Sequence, residues 1–312
     1  MGATDPGVSG PAQRDGALPV LDTVSADQVR ALAGAWFADH GIAAAVRPGC
    51  VQTHDGRQYG LWNLAVACSR DAARRTDWGA VVDGHFSRLL GAAAQEVTEL
   101  SDAEFGSALR LRLVGDAVLR SVPDPGAFCY APSWAPGIRA VLVLDLPGRL
   151  VALPEAQLAA RGAMTELVAV GRRNTWALVD TENLIVQPVE HGGRWFRCMI
   201  GDTAFTSSLA LMLPDLVARI EPGAAVDRGI IFSVPYRHQL NYRVVEGAAS
   251  VLDALTLIPR FTLKGYHDSP SPLSPLTFLW LDGAVTAVSE VDDVHVTVVP
   301  GPVLETYVAV GG

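Results

Sequence analysis

The sequence predicts an α+β fold with two lobes, each a hairpin-rich and mostly antiparallel sheet with helices packed on one side. The chain has 312 residues, of which 49% are hydrophobic and 18% are charged, and this composition supports a sizeable core. Apolar runs with strand spacing alternate with segments of helical periodicity. Hairpin-type turns join consecutive apolar runs, which disfavours a doubly wound nucleotide-binding fold, because that fold needs helical crossovers.

Composition divides the chain into four segments. Residues 1–22, rich in Gly, Pro, Asp and Ser, are predicted to form a disordered tail. Residues 23–120 form an N-terminal α+β lobe, and residues 138–312 form a C-terminal one. Between them lies a connector over 121–137, where the periodic pattern is interrupted by prolines.

The N-terminal lobe begins with a helix, in which Ser25 as N-cap and Gln28 form a capping box before Gly41 ends the helix. The remaining predicted elements of this lobe are a strand over 42–46, a turn at 54–57, a strand over 60–68, a long helix capped by Thr76 or Asp77, and a strand over 109–114. In that last strand leucine alternates with arginine, which predicts a face exposed to water.

The C-terminal lobe has the same mixture of elements. Its predicted strands are 140–144, 176–188, 195–200, 229–234, 276–281, 284–288 and 294–299. Its predicted helices are 154–173, 206–220 and 248–263, and Pro214 could bend the second of these. Hairpin turns are expected at His191-Gly192-Gly193 and at Asp282-Gly283.

Charge and cysteine content exclude several classes of protein. The net charge of −9 disfavours a nucleic-acid partner, which would need a basic surface. The longest uncharged, mostly apolar stretch, 203–214, has 12 residues and is shorter than the roughly 18 that span a membrane. The N-terminus lacks the apolar core of a signal peptide. The 4 cysteines are far apart in sequence, as expected for free thiols in a reducing compartment. We therefore predict a cytoplasmic protein without a membrane partner.

No catalytic or metal-binding motif is found. The sequence contains no glycine-rich phosphate loop and no nucleophile elbow, and its 7 histidines are too widely spaced to form a metal motif. The short pairs Asp83/His85 and Asp293/His295 each supply only half of a ligand set. The loop 265–272 contains Ser, His and Asp, but adjacent residues rarely form a working triad. We predict no metal and no cofactor, and whether the protein is an enzyme stays open.

One segment combines several functional residue types. Tyr236, Arg237 and His238 follow the predicted strand 229–234, and Tyr242 lies shortly beyond them. Residues after a buried strand often form binding sites. Arg237 could clamp a carboxylate or phosphate, the tyrosines could stack on a ligand, and His238 could relay a proton. The alternative is structural: Arg237 pairs with an acid and the tyrosines are half-buried.

The C-terminal lobe resembles the YtpQ family of bacterial proteins of unknown function over roughly residues 140–285. The resemblance is carried by Asp145-Leu146-Pro147 with Leu150-Val151, by the segment from Phe205 to Leu213, by the run from Gly229 to Arg237, and by the run from Pro272 to Gly283. The helix end Gly171-Arg-Arg-Asn-Thr175 departs from the family's Ala-x-x-Asn-Leu pattern. The resemblance implies no established activity and no catalytic residue.

Two functional hypotheses follow. In the first, the chain is a non-enzymatic, chaperone- or adaptor-like protein that binds a partner protein or peptide by pairing with an edge strand. In the second, it is a sensor or enzyme for a small anionic ligand, which Arg237 clamps with Tyr236 and His238 beside it. An immunity-like protein that meets a basic partner is a third, weaker hypothesis. The sequence does not determine the oligomeric state.

Overall fold

Helices and antiparallel sheets occur together along the chain, which confirms the predicted α+β class. The structure is a computed structural model, and it describes residues 14–18, 20–54, 58–70, 78–91, 97–120, 124–147, 149–269, 271–292 and 295–310. Contacts divide the chain into one unit of residues 1–96 with 147–149 and another of 97–146 with 150–312. This division lies outside the proline-rich stretch 121–137 that we predicted as a connector.

The described part of the first unit contains three α-helices and a small antiparallel sheet. Its elements are α1 (Thr23–Asp39), β1 (Ala44–Val46), β2 (Cys50–Thr53), β3 (Gln58–Gly60), α2 (Trp62–Arg70) and α3 (Trp78–Gly91). Trp36, Phe37 and Phe86 form an aromatic cluster in its core. The predicted turn residues 55–57 and the predicted helix caps Thr76 and Asp77 lie outside the described residues.

Three expectations for this unit differ from the structure. The predicted strand over 60–68 is wrong, because α2 occupies it: the buried residues Leu61, Leu64, Ala65 and Cys68 follow helical spacing. The N-cap of α1 is Asp22, whose side chain accepts a hydrogen bond from the Ser25 N–H, so Ser25 lies in the first turn. The described part of the predicted tail packs on this unit: Leu18 is fully buried, and Asp15 lies 2.7 Å from Arg30.

The second unit carries most of the chain. Its first elements are α4 (Asp102–Ala108), β4 (Leu109–Gly115), α5 (Asp116–Arg120), β5 (Ser133–Ala135), β6 (Ile138–Leu146), β7 (Arg149–Ala152), α6 (Glu155–Ala159), α7 (Met164–Trp176), α8 (Leu178–Thr181), β8 (Leu184–His191) and β9 (Arg194–Gly201). They are followed by α9 (Leu213–Ile220), β10 (Ile230–Ser233), β11 (Gln239–Val244), α10 (Ala248–Asp268), β12 (Thr277–Leu281), β13 (Ala284–Ala287), β14 (Ser289–Val291), β15 (Val296–Val298) and α11 (Gly301–Val310). Short 3-10 helices include Thr206–Met212, directly before α9.

Two sheets build the core of this unit. The larger is antiparallel with strand order β13-β12-β10-β11-β9-β8, and the smaller has the order β4-β6-β5, with β7 also pairing with β6. One apolar cluster joins Leu240 and Tyr242 of the larger sheet to Leu111 and Leu142 of the smaller. A second cluster packs α10 on the opposite face of the larger sheet. The larger sheet is therefore covered on both faces, and all six residues of β11 are buried.

The connector predicted over 121–137 contains β5, which pairs with β6 within this unit. The contacts of β5 therefore hold the described part of this stretch, residues 124–137, in the second unit. Residues 176–181, predicted as the start of a strand, are helical, because the last turn of α7 continues into α8. Pro214 lies in the first turn of α9, where a proline begins a helix without a lost hydrogen bond.

The predicted hairpin turns are confirmed. β8 and β9 pair on either side of Gly192 and Gly193, whose φ angles are +58° and +76°. β12 and β13 flank Asp282 (φ +48°) and Gly283 (φ +83°). Two consecutive positive φ angles are the geometry of a two-residue hairpin turn. Among the described helices, none is long and apolar enough to cross a membrane.

Side chains cap the free edge of β4. The Leu111 N–H donates to Thr175 Oγ1 at 2.9 Å, and the Leu113 N–H donates to Ser208 Oγ at 3.0 Å. Asn174 Nδ2 donates to the Leu109 carbonyl at 2.9 Å. A Cβ on Gly171 would lie 2.7 Å from a Leu142 methyl, so only glycine lets α7 approach this closely. These hydrogen bonds occupy backbone groups that an added strand would need.

Candidate functional site

The candidate site is the turn between β10 and β11, and backbone hydrogen bonds fix this turn on three sides. The Gly201 N–H donates to the His238 carbonyl at 3.1 Å, and the Ser207 N–H donates to the Arg237 carbonyl at 3.1 Å. The Leu273 N–H donates to the Pro235 carbonyl at 2.8 Å. The turn therefore has a defined position beside β9 and the 3-10 helix that precedes α9.

Arg237 and His238 form a hydrogen-bonded pair. Arg237 Nε donates to His238 Nε2 at 2.8 Å, so Nε2 carries no proton. The proton of the neutral ring is then on Nδ1, which lies 3.1 Å from the Gly201 carbonyl oxygen. The pKa of His238 is lowered to about 4, mainly by burial and secondly by the positive charge of Arg237. His238 is therefore a neutral residue that orients the Arg237 guanidinium.

Arg112 of β4 lies in the electrostatic field of this pair. Burial lowers its pKa to about 10, with a further contribution from the positive charge of Arg237. Its Nε is buried and has no hydrogen-bond partner in the part of the chain that the structure describes. Burial also lowers the pKa of Arg237. Two half-buried guanidinium groups are thus held near each other without direct neutralisation of Arg112.

Asp145, near the end of β6, is a carboxylate that acts on Arg112 and on its neighbour Arg110. Its Oδ2 lies 4.0 Å from Arg110 Nε, which is also buried without a hydrogen bond to a described residue. Burial raises the pKa of Asp145, and Arg110 and Arg112 oppose that shift. Arg110 and Arg112 therefore share the carboxylate of Asp145, and Arg237 adds a positive charge that acts on Arg112.

The two predicted tyrosines lie in different surroundings. Tyr236 is half-buried next to the pair, with its ring centroid 6.4 Å from that of His238, and burial raises its pKa. Tyr242 is fully buried in the core, where its hydroxyl donates to Glu221 Oε1 at 2.7 Å. Glu221 also accepts a hydrogen bond from Arg197 Nε at 3.2 Å. The structure thus brings together Tyr236, Arg237 and His238, and it gives Tyr242 a structural partner.

Sequence reasoning missed Arg112 and Asp145. We assigned the arginines of the predicted strand 109–114 to a face exposed to water, but Arg112 is half-buried and its Nε is inaccessible. Alternation of leucine and arginine looks the same whether the polar face meets water or another element. A charged residue directly after the apolar run of β6 was the only available signal for Asp145.

The other polar candidates form no site in the described chain. Asp268 pairs with Lys264 rather than with its neighbours His267 and Ser269. Asp293 lies outside the described residues. Among the described residues, no group of three or more His, Cys, Asp or Glu side chains is placed to hold a metal ion.

Comparison with known proteins found no relative. No family model matches the chain, and neither does a curated protein or a solved structure. The resemblance of residues 140–285 to the YtpQ family therefore stays a prediction.

Proposed function

We propose that the chain binds a small anion between Arg112 and Arg237. The observation that carries this proposal is the buried Nε of Arg112, which has no partner among the described residues although a second guanidinium lies nearby. A buried charge without a partner is destabilising, and like charges add to the cost. A bound anion would supply the missing acceptor and neutralise Arg112 beside the Arg237 guanidinium.

The surroundings favour a compact oxyanion with two negative charges. A guanidinium group offers a planar fork of N–H donors that matches the oxygens of phosphate or carboxylate. Arg110 and Arg112 act on the carboxylate of Asp145, and the charge of Arg237 acts on Arg112, so we propose a ligand with two negative charges. His238 fixes the orientation of Arg237, which reduces the entropy lost on binding.

Titration calorimetry with inorganic phosphate and with succinate tests the proposal. We expect saturable binding of at least one of these dianions to the full chain, and a loss of at least tenfold in affinity for Arg112→Gln and for Arg237→Gln. Arg120→Gln is the matched control, because the Arg120 side chain is 72% exposed. Circular dichroism of each variant separates lost binding from lost folding. Unchanged affinity in a folded Arg112→Gln variant would refute the proposal.

A second candidate function rests on the outer edge of the larger sheet. β8 is an edge strand, and its Ile185 is paired with Ile200 of β9. These side chains are 53% and 37% exposed, which is unusual for neighbouring isoleucines on one face. We propose that an extended peptide with an apolar residue at this position adds to β8, since strand addition combines backbone hydrogen bonds with side-chain contacts.

Copurification of the tagged chain at low and high salt tests this second function. A protein that is retained at high salt by the wild type, lost with Ile185→Asp and kept with Val118→Asp would support it. Val118 is 52% exposed and therefore a matched control. Equal capture by both variants would contradict a role for β8.

We also propose a cytoplasmic location. It is supported by the cysteines, because Cys50, Cys68, Cys129 and Cys198 form no disulfide in the part of the chain that the structure describes. Cell fractionation of the tagged chain tests it, and recovery outside the cytoplasmic fraction would contradict it.

A further inference from the structure

A groove between α7 and α9 presents a second group of functional side chains. A cavity of about 480 Å³ is lined there by Ala169, Arg172, Arg173, Trp176, Met212 and Asp215. The four residues from α7 are spaced at i, i+3, i+4 and i+7, so they lie on one face of the helix. The volume falls within the range of about 300 to 1,000 Å³ for small-molecule sites.

The two arginines of the groove have no counter-ion among the residues that the structure describes. Arg172 and Arg173 are exposed, and neither forms an ion pair or side-chain hydrogen bond with the described residues, unlike Arg219 of α9, which lies 2.9 Å from Asp180. Asp215, on the opposite wall, is likewise unpaired within the described chain. The groove therefore presents two guanidinium groups, which donate hydrogen bonds, and one carboxylate, which accepts them.

Apolar surface adjoins these charges. Trp176 is half-buried, so part of the indole is accessible, and Met212 is only 3% exposed and lies beneath the groove. An indole face accepts an aromatic ring by stacking, and it also accepts a cation. A flat ring on Trp176 would keep an attached anionic group within reach of side chains one turn earlier on the same helix.

The wall formed by α7 is held rigidly from behind. Gly171, Asn174 and Thr175 lie between the groove residues in sequence and face β4. Asn174 Nδ2 donates to two backbone carbonyls, of Gly106 at 2.8 Å and of Leu109 at 2.9 Å. Fixed positions for the groove residues reduce the ordering cost of binding.

We propose that this groove binds an aromatic anion, meaning an aromatic ring that carries a phosphate or carboxylate group. The ring stacks on Trp176, the anionic group accepts hydrogen bonds from Arg172 and Arg173, and Asp215 accepts a hydrogen bond from a hydroxyl or amino group of the ligand. This site shares no residue with the one proposed at Arg112 and Arg237, and it stands on separate observations.

Calorimetry with phenyl phosphate, phenylacetate and inorganic phosphate tests the proposal on the full chain carrying Arg112→Gln, which silences the other site. We expect at least one aromatic probe to bind at least tenfold more tightly than inorganic phosphate. Trp176→Leu and the double variant Arg172→Gln/Arg173→Gln should each lose at least tenfold, whereas Trp176→Phe retains the ring and most of the affinity. Arg260→Gln, an exposed arginine on α10, is the control and should bind as its parent does.

Each outcome separates the two sites. Binding that disappears with Arg112→Gln, but survives when the groove variants are made in the chain that keeps Arg112, would overturn the groove proposal and support the proposed function. Binding that survives Arg112→Gln but disappears with the groove variants supports the groove. Failure of both aromatic probes to bind the Arg112→Gln chain would overturn the groove proposal.

Discussion

Replacement of Thr175 by valine should destabilise the second unit strongly, although the two side chains have nearly the same shape. The Thr175 hydroxyl is fully buried and accepts a hydrogen bond from the Leu111 N–H at 2.9 Å. The same hydroxyl donates toward the carbonyl oxygens of Leu111 at 3.1 Å and Gly171 at 2.8 Å. Valine leaves the Leu111 N–H and carbonyl of the β4 edge without this partner.

The expected loss follows from the two backbone groups. A buried polar group without a hydrogen bond costs about 1 to 3 kcal/mol, and the extra methyl group of valine offsets part of the sum. We expect the free energy of unfolding to fall by about 2 to 4 kcal/mol, which lowers Tm by about 5 to 15 °C for a unit of this size.

Urea denaturation followed by circular dichroism measures the change. Thr181→Val is the matched control, because the exposed Thr181 hydroxyl donates to the Ala177 carbonyl at 3.2 Å, and its loss should cost less than about 0.5 kcal/mol. Thr175→Ser keeps the hydroxyl and should lose less than Thr175→Val. If Thr175→Val is as stable as Thr181→Val, the capping of β4 by α7 is not as described.

Three further predictions concern packing and titration. Gly171→Ala should lower the free energy of unfolding by about 1 to 3 kcal/mol, because the new Cβ lies 2.7 Å from a Leu142 methyl; an unchanged urea midpoint would contradict this close approach. Tyr242→Phe should cost about 1 to 2 kcal/mol in the same assay, because Glu221 loses a partly buried hydrogen bond of 2.7 Å; a cost below about 0.5 kcal/mol would show that water replaces the hydroxyl. The pKa of His238 falls from about 6.5 in the unfolded chain to about 4 in the folded one, so the unfolded state takes up the proton first. The contribution of neutral His238 to the free energy of unfolding is therefore complete above about pH 6.5 and is lost as the pH falls to about 4. With allowance for solvent screening, we expect this loss to be about 1 to 2 kcal/mol. Urea midpoints from pH 7 to 4 should fall less steeply for His238→Gln, and parallel curves would contradict a neutral His238.

The fold class could be predicted because its signals are local. Hairpin turns such as Asp282-Gly283 are determined by residues that tolerate positive φ, and the structure has them where expected. The segment now seen as α2 was misassigned because a short apolar run fits a strand and a buried helix equally well. The boundary between the units could not be predicted from the sequence either. The prolines suggested a linker, but β5 lies in that stretch and pairs with β6.

The candidate site could be predicted only in part. Arg237 and His238 are adjacent in sequence and follow a buried strand, so their position was visible from local pattern. Arg112 lies more than a hundred residues earlier, and its proximity depends on how the two sheets pack. Burial of an arginine is a tertiary property, and one sequence contains no local signal for it. The groove at Trp176 could not be predicted either, because it also depends on tertiary packing: its second wall is formed by α9.

The Nε–H resonance of Arg112 tests the central claim most directly. In a ¹⁵N–¹H spectrum of the labelled chain, Arg112→Lys identifies this signal by its disappearance, and Arg120 provides an exposed reference. Titration with the dianion that binds most tightly should shift the Arg112 signal progressively to saturation, as expected when a buried donor gains an acceptor, while the Arg120 signal stays in place. An Arg112 signal that does not move, or that moves no more than that of Arg120, would contradict anion binding between Arg112 and Arg237.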